Sequence, residues 1–125
     1  MHLTNRIRTT LRLLTPAIAI LASTARADGG DAAAGKSVYA ANCVVCHGEK
    51  GKGDGPGAAS LNPKPKDFTD AKAMSKITDA TRVKAVTEGG QAAGVSQMMP
   101  PFGQVLSPKQ IQDVLAYVAQ FSSKK

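Results

Sequence analysis

At 125 residues the chain has room for one domain of ordinary size. Its formal net charge is +7, but four of its 16 basic residues are arginines within residues 1–27; the remaining 12 stand against 9 acidic residues, a net charge of +3. That balance is too mild for a nucleic-acid surface, and with aromatic residues at 4% and no tryptophan the chain has no stacking platform for bases either.

The first 27 residues read as an export signal. Arg6, Arg8 and Arg12 form a basic start, Leu13–Ala22 is an apolar run, and Ala25-Arg26-Ala27 supplies small residues for cleavage, so the mature chain is expected to start at Asp28. A membrane anchor is the alternative, but the run falls short of the roughly 20 residues needed to span a bilayer and contains Pro16. Cys43 and Cys46 are the only cysteines, so a lipid anchor beside the cleavage point is not expected.

Residues 31–42 are rich in alanine and predict a helix, with Val38, Tyr39 and Ala41 as candidates to face inward. Residues 48–66 are dense in glycine and proline and predict an irregular loop of the kind that packs over a functional site. Residues 70–76 predict a short helix. A second helix, capped by Thr78 or Asp79, runs to Glu88 and stops at Gly89-Gly90. The last helix starts at Ser107: Pro108 suits the first helical position, and Gln110 completes a capping box. Ile111, Val114, Leu115, Val118 and Phe121 then form one apolar stripe. No strand pattern of useful length occurs, so the fold class is all-α.

Such a domain has little bulky core material of its own. Two cysteines three positions apart would close a trivially small disulfide loop, so a large apolar cofactor is the better filler.

Cys43-Val44-Val45-Cys46-His47 supplies it, because C-x-x-C-H is the haem attachment sequence. Two thiols on one helical turn can each add to a haem vinyl group, and the adjacent imidazole of His47 then reaches the iron from the same side. A thioredoxin-like pair needs a buried strand before the motif, which residues 31–42 do not offer. A structural zinc site needs four ligands, and the mature chain offers Cys43, Cys46 and His47.

The only other histidine, His2, leaves with the signal, so the second axial ligand is sought among Met74, Met98 and Met99. Pro100 holds the residue before it extended, and Pro101 stiffens the loop further. Neighbours in an extended segment point to opposite sides, so Met98 and Met99 cannot both face the iron, and Met99 is the favoured ligand. Met74, among Lys72, Ser75 and Lys76, reads as a packing residue. The carbonyl that orients the His47 ring is expected to be that of Pro63 or Pro65.

With CVVCHG near the mature start and MMPPFG before a helix containing LAYV, the chain resembles the class I c-type cytochromes over essentially residues 28–125. The loop GKGDGPGAASLNPKPKDF is similar to one in small bacterial members. The resemblance implies a small helical fold in which the first and last helices cross, with one covalent haem c between them and one edge exposed. It places Gly35 and Tyr39 against the last helix near Tyr117, and it matches Met99, directly before the proline, to the methionine ligand.

The expected function is single-electron transfer between protein redox partners in the periplasm, by a carrier and not an enzyme, as a monomer or as a subunit of a redox complex. Two alternatives are a haem subunit of a dehydrogenase or oxidase and a haem sensor or peroxidase with a displaceable methionine. Lys50, Lys52, Lys64, Lys66, Lys72, Lys76 and Lys84 are candidates for a basic rim that steers acidic partners, against the alternative of an ordinary solvated surface.

Overall fold

A computed structural model describes residues 29–123. The expected export signal lies outside the described residues. Five α-helices follow in order: α1 (Ala32–Asn42), α2 (Val44–His47), α3 (Ala71–Met74), α4 (Asp79–Glu88) and α5 (Pro108–Ser123), with a 3-10 turn at Pro56–Ser60. No strand occurs among the described residues, in agreement with the all-α expectation.

The helix ends follow the local chemistry of the sequence. The Asp31 carboxylate accepts from the Ala33 and Ala34 amides to start α1, Asp70 does the same for Ala73 in α3, and the Thr78 hydroxyl accepts from Thr81 N–H in α4. At α5 the capping box closes in both directions. Ser107 N–H donates to Gln110 Oε1 at 2.9 Å, and Gln110 N–H donates to Ser107 Oγ at 3.2 Å.

The frame of the molecule is the crossing of α1 and α5, its most extensive helix pair among the described residues. Gly35 makes the close approach possible, since a Cβ there would collide with the Asp113 carbonyl. Ile111, Val114 and Val118 are buried, while Leu115 and Phe121 are half-buried. Ala41, expected inward, is exposed. At about 100° per residue it lies some 200° around α1 from buried Tyr39, so the two cannot share a face.

Asp113 is buried at the crossing, where an apolar stripe alone gives no reason for a carboxylate. Its oxygens accept from Lys109 Nζ at 2.8 and 2.9 Å and from Asp31 N–H at 2.7 Å. The Lys109 ammonium, and then the Asp31 amide, hold its carboxyl below the usual carboxylate range. The start of α1 is thereby tied to α5 by a charge-assisted bond.

The glycine-rich segment after His47 is fastened rather than free. Gly53 N–H donates to His47 O at 2.8 Å, Gly55 N–H to Cys46 O at 3.1 Å, and Phe68 N–H to Gly51 O at 2.7 Å. Gly53 has φ 74° and lies against the Pro65 carbonyl, so both its backbone angle and its surroundings exclude a side chain. The 3-10 turn inside this segment begins with Pro56, whose ring presets φ for the first helical position.

Candidate functional site

α1 runs into α2 through Cys43, which closes the first helix and opens the second. This continuity puts Cys43 and His47 on one wall of a cleft of about 670 Å³ that also borders Met74, Ala85, Val114 and Val118. A second cleft of about 990 Å³ runs along Cys43, Cys46, His47, Leu61, Pro65 and Phe102. Cys43, His47, Lys66, Val95 and Met99 border both, so the two form one continuous groove.

His47 is held on two sides. Its ring stacks on Phe68, centroids 4.3 Å apart and 17° between planes, and its Nδ1 lies 3.2 Å from the Lys66 carbonyl oxygen. A carbonyl only accepts, so Nδ1 carries the proton and Nε2 keeps its lone pair. Burial pulls the imidazole below its ordinary range and outweighs the Lys66 carbonyl, which acts the other way. The ring is therefore neutral at neutral pH, the state that ligates a metal. The carbonyl expected from Pro63 or Pro65 comes instead from Lys66. Residue 65 is already turned against Gly53, and the next peptide presents its oxygen to the ring.

Behind His47, four of the chain's five aromatic residues gather. Tyr39 packs on Tyr117 and Phe121 with centroids 5.3 and 5.4 Å apart, and Phe68 lies over Phe121. The Tyr39 hydroxyl donates to Gly48 O at 2.7 Å, just past His47, and burial raises its pKa far above the ordinary phenol. Scattered through the sequence, these residues are too few to announce a core; brought together, they brace one wall.

Both thiols are free and half-buried. Burial, then the neighbouring Cys46, pushes the Cys43 thiol up to about 11. A redox-active pair needs a thiol acidified below its ordinary value, so this shift runs against a thioredoxin-like role.

The opposite wall is the segment before α5. Gly90 N–H donates to Met99 O at 2.9 Å, Phe102 N–H to Val86 O at 2.8 Å and Gly103 N–H to Thr87 O at 3.0 Å. The last two use carbonyls that the end of α4 leaves unpaired. Met99 borders both clefts, whereas Met98 borders only the outer one and is 47% exposed. Met74 is buried and lines the inner cleft as packing. Of the seven lysines considered for a basic rim, Lys64 and Lys66 border the groove; Lys64 Nζ donates to the Ala58 and Ala59 carbonyls, and Lys84 pairs with Glu88 on α4.

An apolar groove, a neutral imidazole with a free lone pair, two free thiols and a thioether fit a covalently held haem. The family model described as cytochrome c matches residues 32–122, which include every one of these groups. The chain belongs to the cytochrome c family. This monohaem c-type cytochrome takes haem c as its covalently attached cofactor and serves as an electron carrier.

The cytochrome is 38% identical over 101 residues to cytochrome c6 of Limnospira maxima, an alignment covering 76% of this chain and 98% of that protein. It is 32% identical to cytochrome c-554(548) of Halomonas halodenitrificans, covering 70% and 93%. It is also 35% identical to the cbb3-type cytochrome c oxidase subunit FixP of Bradyrhizobium, but spans only 30% of that protein's length. Among solved structures, the KustC0563 c-type cytochrome superposes with a TM-score of 0.56 at 26% identity, covering 70% of this chain and 95% of that one.

Proposed function

We propose that the cytochrome is an exported single-electron carrier working in the periplasm between protein redox partners, with residues 1–27 as cleaved signal and residues 28–125 as haem domain. Cys43 and Cys46 would hold the haem through thioether links, and His47 and Met99 would ligate its iron. The observation that carries this reading is the neutral His47 imidazole, fixed by the Lys66 carbonyl, on a groove that Met99 borders too.

When bound, the haem supplies the redox chemistry, one electron per iron. The chain's own residues hold that chemistry to carrier use. His47, clamped between Phe68 and Lys66, cannot turn, and Met99 is kept in place by its own carbonyl on Gly90 and by Pro100. A thioether on one side raises the reduction potential relative to a second imidazole. Two protein ligands leave no open position for oxygen or peroxide, which is why the reading is a carrier and not an enzyme.

The subunit reading draws on the likeness to FixP. The free carrier is better supported, because the chain spans nearly the whole of the small cytochromes and under a third of FixP. Lys64 and Lys66 beside the groove suit an acidic partner, and electron-transfer rates with one are expected to fall as salt rises.

An absorption spectrum and a mass of the exported protein test the proposal together. Expected are a mass of residues 28–125 plus one haem, a near-infrared band of methionine-ligated ferric iron, and no carbon monoxide binding by the ferrous protein at neutral pH. A colourless protein with the mass of the bare peptide overturns the haem assignment, and ready carbon monoxide binding overturns the carrier assignment.

A further inference from the structure

Arg82 on α4 borders the inner cleft together with His47 and Met99, a cationic side chain in an otherwise largely apolar lining. Its two terminal nitrogens are engaged. Nη1 donates to Asp79 Oδ1 at 2.8 Å and Nη2 to the Met74 carbonyl at 2.6 Å. Its Nε is buried and has no partner, and it is the one such side-chain polar atom among the described residues.

A buried guanidinium donor left without an acceptor is costly, so such an atom points to a group that the protein itself does not provide. Lys66 also borders this cleft, while the neutral polar groups on it are already committed: the Tyr39 hydroxyl to Gly48, His47 Nδ1 to the Lys66 carbonyl, and the Thr81 hydroxyl to Thr78. The missing partner must be an acceptor, and beside a cation a carboxylate is the strongest one. Haem carries carboxylates on its two propionate arms.

We infer that Arg82 holds one haem propionate through Nε–H, and so sets how the haem lies in the groove and how its charge is balanced. This rests on the haem reading above. Asp79 and the Met74 carbonyl act as positioning groups, because they hold the two terminal nitrogens and leave Nε as the free donor. Lysine cannot replace this arrangement, since a point charge lacks the planar fork that serves three acceptors at once.

Arg82 is the only arginine in residues 28–125, so the exported protein labelled with ¹⁵N-arginine gives a single Nε–H signal. In the ferrous holoprotein that proton is expected to exchange slowly with solvent. R82Q removes the positive charge and leaves the propionate unbalanced, which favours ferric iron. At a fixed solution potential its ratio of reduced to oxidised protein is expected to fall about tenfold, or about 59 mV for a one-electron couple. R82K, which keeps the charge and loses the fork, is expected to lie between R82Q and the parent. Rapid exchange of the Nε–H in the parent holoprotein overturns the inference, as does an R82Q midpoint equal to that of the parent. Should R82Q fail to mature, the exchange rate in the parent and the R82K midpoint decide it. The same samples report covalent haem by their spectra, so absence of haem sinks the earlier reading while intact haem with a freely exchanging Arg82 sinks only this one.

Discussion

The two walls of the groove are built by opposite means. The His47 wall grows from one continuous stretch, α1 into α2, and is backed by four aromatic rings and the Lys66 carbonyl. The Met99 wall is a loop with no helix of its own, hung from the end of α4 by backbone hydrogen bonds and stiffened by Pro100 and Pro101. The contrast teaches that the first wall is a matter of packing and the second of anchoring. Damage to the first should cost the fold, and damage to the second should cost a ligand.

The largest effect tests that contrast directly. His47→Ala, or replacement of both Cys43 and Cys46, is expected to abolish folded holoprotein, because the haem fills what the chain leaves unpacked. Haem staining and circular dichroism check it, and a stable native-like apoprotein would erase the distinction between the walls. Next, Met99→Ala is expected to lose the near-infrared ligand band while keeping its helical signal, and Met98→Ala to keep both. The reverse outcome would exchange the two methionines, against the 47% exposure of Met98.

Smaller effects probe the crossing that supports both walls. Gly35→Ala drives a methyl into the Asp113 carbonyl and is expected to cost about 1–3 kcal/mol in chemical denaturation. The Asp113 carboxyl, depressed in the folded protein, contributes stability that is complete above the unfolded carboxylate range near pH ~4 and is lost as pH falls through its lower folded value. The stability difference between the parent and Asp113→Asn should therefore be largest at neutral pH and shrink on acidification; a difference that does not change with pH would mean that the Lys109 pairing is idle.

Much of this was legible in the residues because it depends on near neighbours. The C-x-x-C-H spacing, the capping box at Ser107 and Gln110 and the stop at Gly89-Gly90 all act within a few positions, and each appears where local chemistry puts it. Phe68 gave no such signal: nothing in its flanks says that it will stack on an imidazole 21 positions away. Arg82 and Asp113 were equally silent, since a charged residue in a helical pattern ordinarily belongs to the solvated face.

By itself, then, the sequence determined the helices, their ends and the attachment turn, because covalent geometry and hydrogen bonds over one turn suffice for these. Only the tertiary structure decided which carbonyl orients His47, which ring braces it, where the Asp113 carboxylate is tied and that Arg82 Nε is buried without a partner. Those are meetings between residues far apart in the chain, 19 positions for His47 and Lys66 and 82 for Asp31 and Asp113. The Asp31–Asp113 contact lies at the α1 and α5 crossing, whose close approach needs Gly35 to carry no side chain.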